Sequence, residues 1–245
     1  MTFSTSSSTE PTIGELVAHD YRKAEVFKAF GLDFCCGGKQ SVRRACEKNQ
    51  VDYEALQAEL ARVDMSPAGR VERFDRWPLA ALADYVENSH HAYLYETLPI
   101  IEEFATKVAR VHGENHPENI EILSVFRALK DELLAHLPKE EHILFPYMRR
   151  LGHAQVEGEI IAPPPFGTVA NPIRMMEHEH DDAGELLRTL RRLSNNYTPP
   201  ADACNTYKVL YAKLAELEDD VHRHIHIENN ILFPESIAIE QALTS

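Results

Sequence analysis

The chain has little of what would make it a membrane protein, a disulfide scaffold or a binder of polyanions. Nothing in its 245 residues approaches the ~18 consecutive apolar residues of a membrane span, so no membrane partner is expected. Its four cysteines, Cys35, Cys36, Cys46 and Cys204, show no disulfide-framework spacing, which points to a reducing, cytoplasmic setting. Lysine and arginine number 25 against 39 acidic residues; the formal charge of −14 speaks against a nucleic-acid or anionic-membrane surface. The start of the chain lacks both a charged region and an apolar stretch. Residues 1–11 read as a Ser/Thr-rich disordered tail rather than a signal peptide. There is no flavin or nucleotide motif, so any redox turnover needs an outside reductant.

What the chain does have is histidine, 13 in all, and a repeat. His136 to Pro146 and His224 to Pro234 both read His-x-x-x-Glu-x-x-Ile-Leu-Phe-Pro. A His and a Glu four apart on a helix share a face, roughly 5–6 Å apart at Cβ. The repeat extends upstream, because His91 precedes His136 by 45 residues and His180 precedes His224 by 44. A unit of this length reads as a helical hairpin, and two such hairpins make an up-down four-helix bundle. Each hairpin then supplies a lone His from its first helix and a His-x-x-x-Glu from its second. The expected metal ligands are His91, His136, Glu140, His180, His224 and Glu228.

Six ligands are too many for one tetrahedral zinc. Carboxylates shared between two ions suit iron or manganese, and bundle sites of this kind commonly hold di-iron. The expectation is two non-haem irons bridged by Glu140 and Glu228, with positions open for an oxo or hydroxo bridge, water, NO or O₂. Acidic residues one turn before the paired histidines, Glu132 and Asp220, could orient the imidazoles, as could Glu177 and Glu179 beside His180; ordinary helix-face charge is the alternative for each. His90, His142, His178, His222 and His226 lie off the ligand face or lack a repeat partner and read as solvated. His112 lies roughly 30 Å from His91 along one helix and is left out.

The fold expected is therefore all-α. A capping box at Thr12 and Glu15 opens a helix over 12–30 that stops at Gly31. Short helices near 41–49 and 52–62 complete a small unit over 12–63, with the Cys35–Cys36 pair in a loop beside Gly37 and Gly38. Those cysteines read either as small semi-buried residues or as a thiol pair that oxidises or briefly holds a soft metal. Residues 64–77 read as a linker and 78–245 as the bundle, with helices over about 78–111, 117–151, 172–194 and 201–242. Pro99 and Pro234 predict bends, and Pro138 removes a helical hydrogen bond between two ligands.

Over about residues 12–240 the chain resembles the RIC (repair of iron centres) proteins, the ScdA/YtfE-like family with its hemerythrin-like domain. The segments carrying the likeness are Asp33-Phe-Cys-Cys-Gly-Gly38, Glu179-His-Asp-Asp-Ala-Gly-Glu-Leu186 and Glu228-Asn-Asn-Ile-Leu-Phe-Pro234. The resemblance implies a cytoplasmic di-iron protein that protects or restores iron–sulfur clusters after nitrosative or oxidative damage. It carries the iron ligands over to the same six residues and the motif cysteines to Cys35 and Cys36. Damaged iron–sulfur proteins or an assembly scaffold would be its partners. Hemerythrin-type oxygen carriers use five histidines with a His-x-x-x-His pair. Here Met176 and Gly184 flank His180 at four residues, which departs from that pattern.

Three functions compete. The first is iron donation to damaged clusters, with Cys35 and Cys36 as a thiol relay. The second is binding of NO or its reduction to N₂O, which would make the protein an enzyme. The third is a metal-free interaction bundle. The oligomeric state is open, a homodimer being one expectation.

Overall fold

Thr12 opens the first helix as its sequence predicts: its hydroxyl accepts from the Glu15 amide at 3.2 Å, and the Glu15 carboxylate accepts from the Thr12 amide at 2.7 Å. The computed structural model describes residues 10–66 and 73–244, so most of the expected tail and the middle of the expected linker lie outside the described residues. The single helix expected over 12–30 is two, α1 (Ile13–His19) and α2 (Lys23–Ala29). The break falls at Asp20, whose carboxylate accepts from the Arg22 amide at 3.1 Å, a local bond that competes with the helix. Gly31, at φ 69°, takes the left-handed conformation that ends the segment. Ser41 caps α3 (Val42–Asn49) and Asp52 caps α4 (Tyr53–Met65).

The bundle follows. Its first rod is α5 (Leu79–Tyr85), a widened turn at Val86–His91 and α6 (Ala92–His112). The second is α7 (Glu118–Lys139), a widened turn at Glu140–Leu144 and α8 (Phe145–Glu157). The third is α9 (Ala170–Leu193). The fourth is α10 (Asn205–Ile227), a widened turn at Glu228–Leu232 and α11 (Phe233–Thr244). α7 packs on α6 and α9, and α10 packs on the same two, closing the ring.

In the second and fourth rods the widened turn is a π-type bond: Phe145 donates its amide to the Glu140 carbonyl and Phe233 to that of Glu228. Pro146 and Pro234 come next. A proline ring collides with the carbonyl four residues back in a regular helix, and an extra residue in the turn moves that carbonyl aside. The bend expected at Pro234 is thus a widened turn, repeated at Pro146. α6 runs through Pro99, and α7 runs through Pro138 to Lys139.

Two apolar clusters fill the interior. One joins α1–α4 to α6, α7, α9 and α10, so the small N-terminal unit shares its core with the bundle (Phe27, Val42, Leu56, Phe126, Leu187, Tyr211). The other lies among α5, α8, the start of α9 and α11 (Leu82, Phe145, Met148, Ile173, Phe233). His91, His136, Glu140, His180, His224 and Glu228, all buried, belong to neither.

Candidate metal centre

The six side chains converge. His91 and His224 bring their Nε2 atoms to 3.2 Å of each other, and so do His136 and His180. Glu140 Oε2 lies 3.4 Å from His91 Nε2 and 3.2 Å from His136 Nε2. Glu228 reaches His180 Nε2 through Oε2 at 3.2 Å and His224 Nε2 through Oε1 at 3.0 Å. Two four-residue groups result, His91–Glu140–His224–Glu228 and His136–Glu140–His180–Glu228, sharing both carboxylates.

The far sides of the rings explain the orientation. His91 Nδ1 lies 2.9 Å from Glu141 Oε1, His136 Nδ1 2.8 Å from Glu179 Oε2, and His180 Nδ1 2.9 Å from Asn229 Oδ1. Each partner is an acceptor, so the proton sits on Nδ1 and the neutral ring turns its Nε2 lone pair inward. Facing lone pairs at 3.2 Å repel one another. Both oxygens of Glu140 and both of Glu228 are buried without a hydrogen-bond donor among the described residues. A cavity lined by inward lone pairs and orphaned carboxylate oxygens is a fit for cations, which supply the missing positive charge. Without one, protons do so. Against the effect of burial, His136 and His91 hold Glu140 well below the usual carboxylate range, and Glu140 pushes His136 up to about 9. At His224 burial wins and lowers the imidazole.

Of the expected orienting acids, Glu179 meets His136. The other three are placed differently. Glu132 makes no bond to His136 and lines a cavity, where burial and the neighbouring Asp182 and Glu179 raise its carboxyl. Asp220 turns from His224 to His90 Nδ1, at 2.8 Å. Glu177 pairs with Lys39 at 2.5 Å. Sequence position on one helix could not reveal this, because His91, His136 and His180 are each met by a residue from another rod. The expectation of solvated histidines holds for His142 and His178. It fails for His90 and His226, which are buried, and for His222, which is half-buried. His90 stacks on His224 with centroids 5.5 Å apart and planes 6° from parallel. His226 packs against Tyr21 and Phe34.

Four residues in the repeat went unread. Phe145 stacks on His91 (5.4 Å, 24°) and Phe233 on His180 (6.0 Å, 4°), so the Phe of each Ile-Leu-Phe-Pro presses on the lone imidazole from the other rod of its own hairpin. The residue after each shared carboxylate, Glu141 or Asn229, holds the same imidazole by its Nδ1. Recurrence at fixed repeat positions was the signal for all four.

A cavity of about 200 Å³ opens onto His136, His180 and His224. Leu133, Ala135, Ala183, Val221 and Ile225 wall it, and Glu132, Lys139, Glu179 and Asp182 add polar groups. The thiol loop lies against the same rod. Asp33 accepts from the amides of Cys35 and Cys36 at 3.0 Å, and the two sulfurs stand 3.9 Å apart. Cys36 Sγ donates to the His180 carbonyl at 3.5 Å. Cys35 is buried, and its bond with Cys36 and that burial push its thiol up.

Fold and site together define a class: a cation-binding helical bundle with carboxylates shared between two imidazole pairs. The hemerythrin HHE cation binding domain matches residues 85–236, and ScdA_N, a domain of unknown function, matches residues 9–64. The chain is 39% identical over 228 residues to the iron-sulfur cluster repair protein YtfE of Musicola paradisiaca (strain Ech703), covering 93% of this chain and 96% of the relative. It is 38% identical to the proteins of that name from Enterobacter sp. (strain 638) and Escherichia coli O157:H7, over 93% of this chain and 97% of each. The chain belongs to the hemerythrin-type ScdA/YtfE family. Among the described residues, no helix is long and apolar enough to cross a membrane.

Proposed function

We propose that the six residues hold two non-haem iron ions, and that the protein repairs or supplies iron to damaged iron–sulfur clusters in the cytoplasm. The observation that carries this reading is the sharing of both carboxylates: Glu140 and Glu228 each stand within 3.4 Å of one imidazole from either pair. Two cations at that junction would each meet two nitrogens and two bridging acids, a set suited to iron and too large for one zinc. Bound iron supplies redox and small-ligand chemistry there, and as cargo it is what a damaged cluster needs. The chain's residues do the rest. Glu141, Glu179 and Asn229 hold the imidazoles in register, Phe145 and Phe233 exclude water from two of them, and the cavity beside His136 and His180 is the way in and out. Cys35 and Cys36 are a relay for leaving iron, a role supported by the 3.5 Å contact between Cys36 and the His180 carbonyl. The names of the relatives support the repair reading, with damaged iron–sulfur proteins as partners.

The test is metal content with Mössbauer and EPR spectra, followed by reactivation of a damaged cluster enzyme. Two irons per chain and reactivation are expected. A preparation that takes up one zinc and no iron ends the reading, and full reactivation by a Cys35→Ala, Cys36→Ala double variant removes the thiols from it.

A second reading rests on the walls of the cavity. Five apolar side chains suit a small uncharged diatomic, and NO would reach the centre by this path. With an external reductant the product would be N₂O; stoichiometric nitrosyl formation without N₂O would leave a scavenger.

A further inference from the structure

Three consecutive residues of the turn Glu228–Leu232 reach three different places. Glu228 enters the metal centre, and Asn229 accepts from His180. Asn230 leaves the bundle altogether. Its Nδ2 donates to the carbonyls of Phe34 at 3.3 Å and Cys35 at 3.0 Å, inside the thiol loop. Helical side chains point about 100° apart in succession, so one turn serves three neighbours. The equivalent turn of the first hairpin serves only two, since His142 at the third position is exposed.

The surroundings are shaped for Asn230. A Cβ on Gly14 or Gly38 would lie 2.2 or 2.3 Å from its Oδ1, so both positions must be glycine for the amide to fit. Gly14 donates its amide to the Gly38 carbonyl at 2.8 Å, closing the loop around it. Behind it sits His226, buried between Tyr21 and Phe34, with Nδ1 3.2 Å from Asn230 Nδ2. The Cys36–His180 contact joins the same loop to the metal centre from the α9 side. The loop is therefore held at two points, one on the ligand His180 and one on Asn230, two residues past the ligand Glu228.

We propose that Asn230 is a positioning residue that couples occupancy of the metal centre to the reactivity of the Cys35–Cys36 pair. The proposal rests on the metal reading above. Cations that draw Glu228 and His180 inward fix the turn and the His180 carbonyl, and with them the loop that presents Cys36. Coupling of this kind is reciprocal: whatever factor the metal imposes on the thiol loop, a change at the thiol imposes on metal affinity.

The experiment uses the full chain under argon, metal-free and loaded with ferrous ion. N-ethylmaleimide labelling of Cys36 is followed by peptide mass spectrometry, which separates it from Cys46 and Cys204. Loading is expected to slow Cys36 labelling at least about fivefold, the lower range for allosteric coupling, and to leave Cys204 unchanged. In Asn230→Asp, which keeps the shape and loses the donor, the ratio falls to about one while iron content stays at the wild-type level. Gly38→Ala, which pushes on Asn230 from the loop side, gives the same loss should the first variant fail to fold. Chain labelled at Cys36 binds iron more weakly than unlabelled chain. A wild-type ratio of one with two irons bound, or a wild-type ratio kept in both variants, overturns the coupling alone. Absence of bound iron in the wild type overturns the metal reading and the coupling with it.

Discussion

The first hairpin, α5 to α8, and the second, α9 to α11, each bring a lone histidine, a His-x-x-x-Glu pair and a stacking phenylalanine to the centre, yet they finish the site differently. Glu141, a carboxylate, holds His91, whereas Asn229, a neutral amide, holds His180. The cavity opens on both imidazoles of the His136–His180 pair but on only one of the other pair, His224; His91 is covered by Phe145, and His224, with His90 stacked against it, has no Nδ1 partner among the described residues. The position after Asn229 holds the thiol loop, and its counterpart, His142, faces solvent. A repeat keeps what converges and frees what diverges. The two candidate cation groups are therefore inequivalent: the cavity meets both imidazoles of the one beside the thiols, and only His224 of the other.

The largest effects should come from the shared acids, where the comparison breaks down. Glu140 and Glu228 each touch both imidazole pairs, so Glu140→Ala or Glu228→Ala should remove both ions together and lower metal affinity more than about 100-fold, beyond the loss typical of an outer partner. His91→Ala and His136→Ala should instead remove one ion each, from the His91–His224 and the His136–His180 group respectively. Metal analysis with EPR of the half-loaded chains checks this; equal loss in all four variants would contradict the shared-acid geometry.

The outer partners should give the next largest effect and separate the halves. Glu141→Ala removes a charged acceptor from buried His91 and should weaken metal binding about 10–100-fold. Asn229→Ala removes a neutral one from His180 and should cost less, near the lower end of that range. Glu141→Gln keeps an acceptor and should recover most of the loss. Competition titration against a chelator ranks the three.

A narrower cavity should act most on the His136–His180 group, both of whose imidazoles line it. Ala183 is buried in the wall, and Ala183→Leu adds bulk where an ion or small molecule passes. Chelator removal of the ion between His136 and His180 should slow about tenfold, for an added barrier of ~1.4 kcal/mol, with the other ion's rate changed less. Stopped-flow release with two resolvable phases is the readout.

How much of this could be read beforehand depended on whether the partners lay on one helix. His136 and Glu140, or His224 and Glu228, are linked by helical period alone, and the repeat tied the two pairs together before any packing was known. The π-type turns were legible only as prolines at 146 and 234, since a missing donor says that a helix must adjust without saying how. Glu132 and Asp220 were the natural choice for orienting the imidazoles by spacing on their own helices. The structure uses Glu141, Glu179 and Asn229, which arrive from neighbouring rods, beyond the reach of spacing along the imidazole's own helix. His226 is buried because the N-terminal unit folds over it, a contact between residues some two hundred positions apart, and the break at Asp20 was masked by an apolar pattern that both short helices satisfy.

The smallest effect is in pH and belongs to the metal-free chain. Glu140 pushes His136 up to about 9, above the ordinary 6.5, so the folded state holds a proton there that the unfolded state releases. Its contribution is fully present below pH 6.5 and is lost as pH rises through about 9. His224 is shifted the other way by burial, so above pH 6.5 it is neutral in both states and adds no slope. Between pH 6.5 and 9 the metal-free chain should therefore lose a few degrees of melting temperature. The loaded chain should not, because the cation stands where the proton was. Parallel thermal melts across that window decide it: a metal-free chain that melts at one temperature from pH 6.5 to 9 would mean that Glu140 and His136 share no proton, and that their closeness is not electrostatic.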